Sequence, residues 1–224
     1  MARILNDLLQ KNREWASGVQ SRDPQFFSSL SQQQAPKYLW IGCADSRVPA
    51  NELVGLRPGE LFVQRNVANM VAHSDLNCLS VLQYAIDHLA VEHVIVVGHI
   101  GCGGVFAALK DLKIGLAGNW VRHVRDVIDR HGEWIDTLPV NRQWPAACEL
   151  NVLDQALNVT NTSVVVEAWE RKQSVTVHAW IYDLGNGILQ DLQFSADSSA
   201  VVRNTYQKAL QGLKNRYLQE ASLP

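Results

Sequence analysis

A continuous β-branched run constrains the fold of this chain most. Residues 94–98 read Val-Ile-Val-Val-Gly, which is typical of a strand buried on both faces of a parallel sheet. Apolar runs at residues 38–42 and 61–65 predict two further strands joined by a turn rich in Pro and Gly, and the apolar spacing over residues 79–89 predicts a helix before the run at residues 94–98. Residues 174–182 and 188–194 flank a Gly-containing loop and predict a hairpin. Together these elements predict an α/β fold, with a mostly parallel β-sheet, an antiparallel edge strand and flanking helices.

The chain is predicted to form one domain over residues 1–224. Its length and its hydrophobic content of 47% are enough to fill a sizeable core. Residues 1–36 are predicted to form an N-terminal helical arm that has no evident local partner, so we expect it to pack on another subunit. The apolar stripe of this arm consists of Ile4, Leu5, Leu8, Leu9 and Trp15.

The middle of the chain is more polar. Residues 103–109 and 119–130 are predicted as helices, the second one amphipathic. Two prolines predict a loop over residues 139–145. Residues 150–171 are predicted as mostly helix, with a break near residues 160–161.

Composition and charge exclude several classes of function. Lys plus Arg is 20 against 22 acids, giving a net charge of -2, and the absence of a basic stripe argues against a nucleic-acid partner. The apolar runs are too short to span a membrane. The first residues carry charges at Arg3 and Asp7 instead of a long apolar core, so we expect no signal peptide and a cytoplasmic location. Without an export signal, the four cysteines favour metal binding over disulfides.

Reactive side chains follow two of the predicted strands. Cys43, Asp45 and Arg47 occupy alternate positions after the first strand, and in extended backbone such positions face the same way. His99 and Cys102 follow the run at residues 94–98. Two thiols and one imidazole make a plausible zinc site with a fourth position free for water or substrate, which is the catalytic arrangement.

Asp45 and Arg47 allow three interpretations: a structural ion pair, helpers of a cysteine nucleophile, or groups that surround a metal. A phosphatase-type loop places its arginine six residues after the cysteine, whereas Arg47 follows Cys43 by four. A Cys–His hydrolase would leave Cys102 unexplained. The metal interpretation uses every residue and is preferred. The remaining cysteines, Cys78 and Cys148, are predicted to be ordinary buried thiols.

The segments 43–47, Cys-Ala-Asp-Ser-Arg, and 99–104, His-Ile-Gly-Cys-Gly-Gly, together resemble the β-class carbonic anhydrases. The resemblance extends over nearly the whole chain and includes residues 65–69 and 167–171. It implies one zinc ion per chain, bound by Cys43, His99 and Cys102. It also implies reversible hydration of carbon dioxide to bicarbonate and a proton, by attack of zinc-bound hydroxide. The expected assembly is a homodimer or a dimer of dimers, with the N-terminal helices wrapped over the partner.

The resemblance also implies roles for individual side chains. Asp45, held by Arg47, is expected to orient the attacking oxygen. The residues expected to bind substrate are Gln34, Phe62, Val67, Tyr84, Gly103 and Gly104. Among them, Gln34 would donate to a substrate oxygen, and the glycines at the start of a helix would let backbone N–H groups approach an anion.

A regulated subtype, found among bacterial members of the family, has a second bicarbonate site. Matching residues in this chain are Trp40, Val48, Arg65 and Tyr182. Bicarbonate bound there would favour a closed state in which Asp45 leaves Arg47 and takes the fourth zinc position. Two other functions stay open: hydrolysis of another small linear substrate, such as carbon disulfide, and a non-enzymatic zinc-binding module.

Overall fold

A computed structural model describes residues 5–32 and 34–221 of the chain. Contacts between Cα atoms divide the chain into two compact units, residues 1–35 and residues 36–224. Ile4, which was predicted to belong to the N-terminal apolar stripe, lies outside the described residues.

The N-terminal unit contains two helices, α1 (Asn6–Arg22) and α2 (Phe26–Gln32). An edge-on aromatic contact joins them, with the ring centroids of Trp15 and Phe27 5.7 Å apart. No residue of α1 is buried in the part of the chain that the structure describes. The predicted helical arm is therefore confirmed as helix, and its apolar side chains are exposed.

A five-stranded sheet forms the centre of the larger unit. The strands are β1 (Tyr38–Cys43), β2 (Leu61–Asn66), β3 (His93–His99), β4 (Thr176–Asp183) and β5 (Ile188–Ala196). Their order is β2-β1-β3-β4-β5, and every neighbouring pair is parallel except β4 and β5. The predicted parallel sheet with an antiparallel edge strand is confirmed.

The strand order puts a topological switch point between β1 and β3. From β1 the chain goes to β2 on one side, and it returns to β3 on the other. Gly42 is in register with Val97, so the carboxyl ends of β1 and β3 lie side by side. Ligand sites of open α/β sheets form at such points.

Helices and short turns connect the strands. The helices of the larger unit are α3 (Ala50–Leu53), α4 (Leu76–Gln83), α5 (Gly103–Leu109), α6 (Leu116–Arg130), α7 (Gly132–Ile135), α8 (Val140–Thr160), α9 (Ser163–Glu170) and α10 (Ser199–Ala221). A 3₁₀ turn, Val67–Asn69, follows β2, and a π turn, Tyr84–His88, follows α4. No helix in the described ranges is both long enough and apolar enough to cross a membrane.

Side chains of β1 alternate between two apolar clusters, as the period of a strand requires. Leu39 and Ile41 belong to the main core, which includes much of α8. Trp40 belongs to a smaller cluster with Val48 and Tyr182. Both faces of β1 and β3 are therefore buried, as the β-branched run predicted.

The prediction of a loop over residues 139–145 is wrong, because most of this segment is helix. Pro139 precedes the first residue of α8, Val140, and Pro145 lies inside the helix. A proline within a helix forfeits one backbone hydrogen bond. The neighbouring Trp144 anchors this part of α8, because its ring contacts that of Phe106 with centroids 4.7 Å apart. The predicted break near residues 160–161 is confirmed, since α8 ends at Thr160.

Candidate metal centre

Three buried side chains meet at the switch point of the sheet. Cys43 is the last residue of β1, His99 is the last of β3, and Cys102 immediately precedes α5. The two Sγ atoms are 3.9 Å apart. One ligand atom from each residue lies within 4.8 Å of the others, so the three side chains can hold one metal ion.

The chain between His99 and Cys102 turns sharply to bring both side chains to one place. Gly101 has a φ of 79°, in the left-handed region that glycine adopts without a steric penalty. The carbonyl of Cys102 accepts a 3.0 Å hydrogen bond from Nε1 of Trp144. Trp144 thereby ties α8 to the backbone of this cysteine, a contact that sequence reasoning missed because Trp144 lay in the predicted loop.

His99 is oriented with one ring nitrogen toward the cysteines. Its Nδ1 is 3.2 Å from the carbonyl oxygen of Ile100, so Nδ1–H donates there and leaves Nε2 as the ligand atom. Nε2 is buried without a hydrogen-bond partner among the residues described. A buried and unpaired nitrogen beside two thiols fits a metal ion, and sulfur with imidazole is a donor set that zinc accepts.

The contact between the two thiols shifts their pKa values in opposite directions. A hydrogen bond from the Cys102 thiol lowers the pKa of Cys43, and the nearby His99 ring acts in the same direction. The same contact with Cys43, together with burial, raises the pKa of Cys102. A cation that binds both sulfurs must displace the shared proton, so we expect metal binding to release protons.

Asp45 and Arg47 form a two-point ion pair beside the cluster. Nε of Arg47 donates to Oδ1 of Asp45 at 2.9 Å, and Nη2 donates to Oδ2 at 2.7 Å. These hydrogen bonds hold the pKa of Asp45 well below its ordinary range. Oδ2 is also 3.7 Å from Nε2 of His99, so a charged carboxylate stands at the edge of the metal cluster.

Arg65 hydrogen bonds to the backbone of the loop that carries Asp45 and Arg47. Its Nε donates to the carbonyl of Cys43 at 2.8 Å, and its Nη2 donates to the carbonyl of Asp45 at 2.5 Å. The sequence identified Arg65 only as a possible bicarbonate ligand. In the structure its hydrogen bonds go to the backbone on either side of Ala44.

Three other residues of the predicted regulatory site, Trp40, Val48 and Tyr182, lie in one apolar cluster. Nε1 of Trp40 is buried and finds no hydrogen-bond acceptor within the described chain. A Cβ atom on Gly42 would lie 2.2 Å from that nitrogen, so only glycine leaves room for the indole. Gly42 is therefore a site residue that sequence reasoning treated only as the end of a strand.

The residues predicted to bind substrate fall into separate groups. The rings of Phe62 and Tyr84 are in contact, with centroids 5.9 Å apart. Val67 lies on the 3₁₀ turn, and a Cβ on Gly104 would be 2.9 Å from its Cγ1. Gly103 is exposed at the start of α5. Gln34 belongs to the N-terminal unit and is exposed in an irregular segment.

Fold and site together define a class of protein. It has a doubly wound α/β sheet with a Cys-His-Cys cluster at its switch point that can hold a metal ion, and an aspartate–arginine pair at the edge of that cluster. The arrangement suits Lewis-acid chemistry on a small substrate, since three protein ligands leave a zinc coordination position open.

Comparisons with known proteins identify the family. The carbonic anhydrase family model matches residues 38–189. A carbonic anhydrase of Emericella nidulans is 42% identical over 186 residues, which is 83% of this chain and 82% of that protein. The β-carbonic anhydrase of Coccomyxa, solved with acetazolamide, superposes over 100% of both chains with a TM-score of 0.84 and 37% identity. One of two tetrameric β-carbonic anhydrases of Sordaria macrospora covers 86% of this chain and 98% of its own, with a TM-score of 0.81 and 35% identity. This chain belongs to the β-class carbonic anhydrase family.

Proposed function

We propose that this protein catalyses the reversible hydration of carbon dioxide to bicarbonate and a proton, with one zinc ion per chain held by Cys43, His99 and Cys102. The observation that carries the proposal is the buried cluster of two thiols and an unpaired imidazole nitrogen, all within 4.8 Å. Membership of the carbonic anhydrase family supports the same reaction. Zinc, when bound, lowers the pKa of a coordinated water toward neutrality and so supplies the nucleophile.

The protein orients the reacting oxygen through Asp45. Its carboxylate accepts a hydrogen bond from the nucleophile, which directs the lone pair of that oxygen at the carbon of the substrate. Arg47 contacts both carboxylate oxygens, so Asp45 keeps its charge and cannot rotate freely. The result is an acceptor held in place before the substrate arrives.

Carbon dioxide is apolar and needs an apolar slot. We assign its walls to Phe62, Val67 and Tyr84, and we assign to Gln34 a hydrogen bond to a substrate oxygen. The contact between the Phe62 and Tyr84 rings supports the first part of this assignment. The backbone amides of Gly103 and Gly104 begin α5 directly after Cys102 and would face a bound anion.

Stopped-flow measurement of carbon dioxide hydration tests the proposal. The zinc-loaded protein should accelerate hydration, whereas the protein stripped by a chelator should not. Offering carbon disulfide to the same sample tests hydrolysis of another linear substrate. Bound zinc without turnover of either compound would leave a non-enzymatic zinc module and contradict the proposal.

We further propose that bicarbonate regulates the enzyme, as in the subtype that the sequence resembles. The supporting observation is the buried Nε1 of Trp40, which lacks an acceptor in the described structure and lies in one cluster with Val48 and Tyr182. Bicarbonate bound to Trp40, Tyr182 and Arg65 would draw the Arg65 guanidinium away from the Cys43 and Asp45 carbonyls. That loop would then be free to move Asp45 from Arg47 to the open metal position. The ligand shifts this equilibrium only by its difference in affinity for the two states.

The proposed assembly is a homodimer or a dimer of dimers in the cytoplasm, formed by a single enzymatic domain with residues 1–36 as an arm over the partner. The apolar side chains of α1, which are exposed in the single chain, support a subunit contact. The Sordaria macrospora relatives are tetrameric. The acidic net charge of -2 agrees with the absence of nucleic acid among the proposed partners.

A further inference from the structure

The 3₁₀ turn after β2 has an unfavourable backbone conformation. Ala68 and Asn69 have φ angles of 64° and 46°, in the left-handed region that favours glycine. Both residues are almost completely buried. Two consecutive left-handed residues that are not glycine persist only where the surrounding structure imposes the conformation.

Amide side chains of α8 contact this segment from one side, and one of them, Asn151, binds the turn itself. Nδ2 of Asn151 donates to the carbonyl of Ala68 at 2.9 Å. The amide of Gln155 accepts from the backbone N–H of Val71 at 2.8 Å and donates to Oδ1 of Asn151 at 3.2 Å. Nδ2 of Asn158 donates to the carbonyl of Val71 at 3.1 Å. Asn151 and Gln155 are fully buried, and burying an amide is costly unless its hydrogen bonds are made.

Helices α5 and α6 hold the same turn from another side. Nε1 of Trp120 donates to the carbonyl of Val67 at 2.8 Å. A Cβ atom on Gly104 would lie 2.9 Å from Cγ1 of Val67 and 3.3 Å from Cβ of Ala68, so α5 approaches the turn as closely as a glycine permits. Consecutive carbonyls, those of Val67 and Ala68, are therefore fixed by side chains from two different helices.

This turn is also tied to a metal ligand. The carbonyl of Asn66, the residue before the turn, accepts a 2.8 Å hydrogen bond from the N–H of Ala44, next to Cys43. Moving the turn would therefore shift both Val67, at the proposed substrate slot, and the Asn66 carbonyl that holds Ala44 beside Cys43.

We infer that Asn151 is a positioning residue for the active centre, acting together with Trp120 through the left-handed turn at residues 67–69. Asn151 fixes the Ala68 carbonyl and Trp120 fixes the Val67 carbonyl. Together they hold in place the Val67 side chain at the slot and the preceding Asn66 carbonyl, which binds the N–H of Ala44 beside Cys43. The kinetic part of the inference rests on the proposed carbon dioxide hydration, whereas its geometric part concerns the metal site alone.

The test replaces Asn151 by alanine and uses Asn158→Ala as the matched control. Both residues are asparagines of α8 that donate to a carbonyl of this segment, but Asn158 binds Val71, beyond the turn. Each protein is loaded with Co²⁺, and the thiolate-to-cobalt absorption bands are recorded beside kcat and KM for carbon dioxide. Trp120→Phe, which removes the indole donor and keeps a smaller aromatic ring at a half-buried position, serves as the second variant.

Asn151→Ala and Trp120→Phe should shift the cobalt bands and lower kcat/KM by about tenfold or more, the usual effect of removing a group that orients a metal ligand. Asn158→Ala should keep the wild-type bands and kinetics even if it lowers the melting temperature. Unchanged bands in a folded Asn151→Ala, or equal changes in Asn158→Ala, would overturn the inference. If Asn151→Ala does not fold, unchanged bands in Trp120→Phe would overturn it. If the wild type does not hydrate carbon dioxide, the proposed function fails and the cobalt bands alone decide the geometric part.

Discussion

Arg47 donates hydrogen bonds to both carboxylate oxygens of Asp45, which precedes it by two residues in the chain. The Arg47 side chain is 60% exposed, and exposed ion pairs add little to stability. We therefore propose that the pair orients Asp45 and keeps it charged. Because the pKa of Asp45 is held below its ordinary range, its carboxylate stays charged at all pH values at which the enzyme would work.

Asp45→Asn should retain zinc and lose most of its activity. The amide cannot supply the charge of the carboxylate or the same acceptor geometry, so we expect kcat/KM to fall roughly 100-fold. Asp129→Asn, which alters an exposed pair with Arg125 on α6, is the control and should keep full activity. Near-wild-type turnover of Asp45→Asn at high pH would remove Asp45 from the mechanism.

Much of the site could be predicted from the sequence because its residues follow strand ends. Parallel neighbours end at the same edge of the sheet, so Cys43 and His99 had to lie close together once β1 and β3 were recognised. Cys102 follows His99 by three residues, so the second thiol could be expected within reach of the same point. The fold class followed from the β-branched run and the final hairpin for the same local reasons.

Other features could not be predicted, because they depend on tertiary contacts that leave no local signal in the sequence. Pro145 predicted a loop, and only the contacts of Trp144 with Phe106 and the Cys102 carbonyl explain why helix forms there. The left-handed conformation of Ala68 and Asn69 is equally invisible in the sequence, because alanine does not favour it. The residue of α8 that binds Ala68, Asn151, is 83 positions away along the chain.

Trp40→Phe should weaken bicarbonate inhibition, and it should lower stability only through the cavity that the smaller ring leaves at this fully buried position. Nε1 makes no hydrogen bond within the described chain, so its removal costs none when bicarbonate is absent. A lost hydrogen bond to a charged ligand should weaken inhibition at low pH about tenfold or more. The measurement is the rate of hydration against bicarbonate concentration and pH. Trp180→Phe, on the same strand as Tyr182, is the control. Equal bicarbonate inhibition of the wild type and of Trp40→Phe would contradict the regulatory site.

Stability should fall as the pH drops below about 6.5. Burial lowers the pKa of His131, which stands beside Asp154 and Tyr206, so the unfolded chain binds this proton more readily. The free energy of unfolding must then decrease as the pH falls through that range. Urea denaturation at several pH values should give a shallower decrease for His131→Gln. The exposed His73→Gln serves as control, and identical slopes for both variants would refute the assignment to His131.

Leu8→Asp should shift the assembly toward smaller species. Leu8 lies on α1 with 53% of its surface exposed, and a charge there would oppose burial against a partner subunit. Leu218→Asp on α10, a leucine of 55% exposure, is the control. Light scattering at micromolar concentration should find a smaller mass only for Leu8→Asp. A monomeric wild type would contradict the proposed subunit contact of the arm.

Titration of zinc into the metal-free protein, followed by stopped-flow carbon dioxide hydration, tests the central claim most directly. Hydration should rise in proportion to added zinc and level off at one equivalent per chain. Cys78→Ala, which alters a buried cysteine outside the cluster, should behave like the wild type, whereas Cys102→Ala should neither retain zinc nor gain activity. Full zinc occupancy in Cys102→Ala, or hydration by the wild type that does not respond to zinc, would contradict the account.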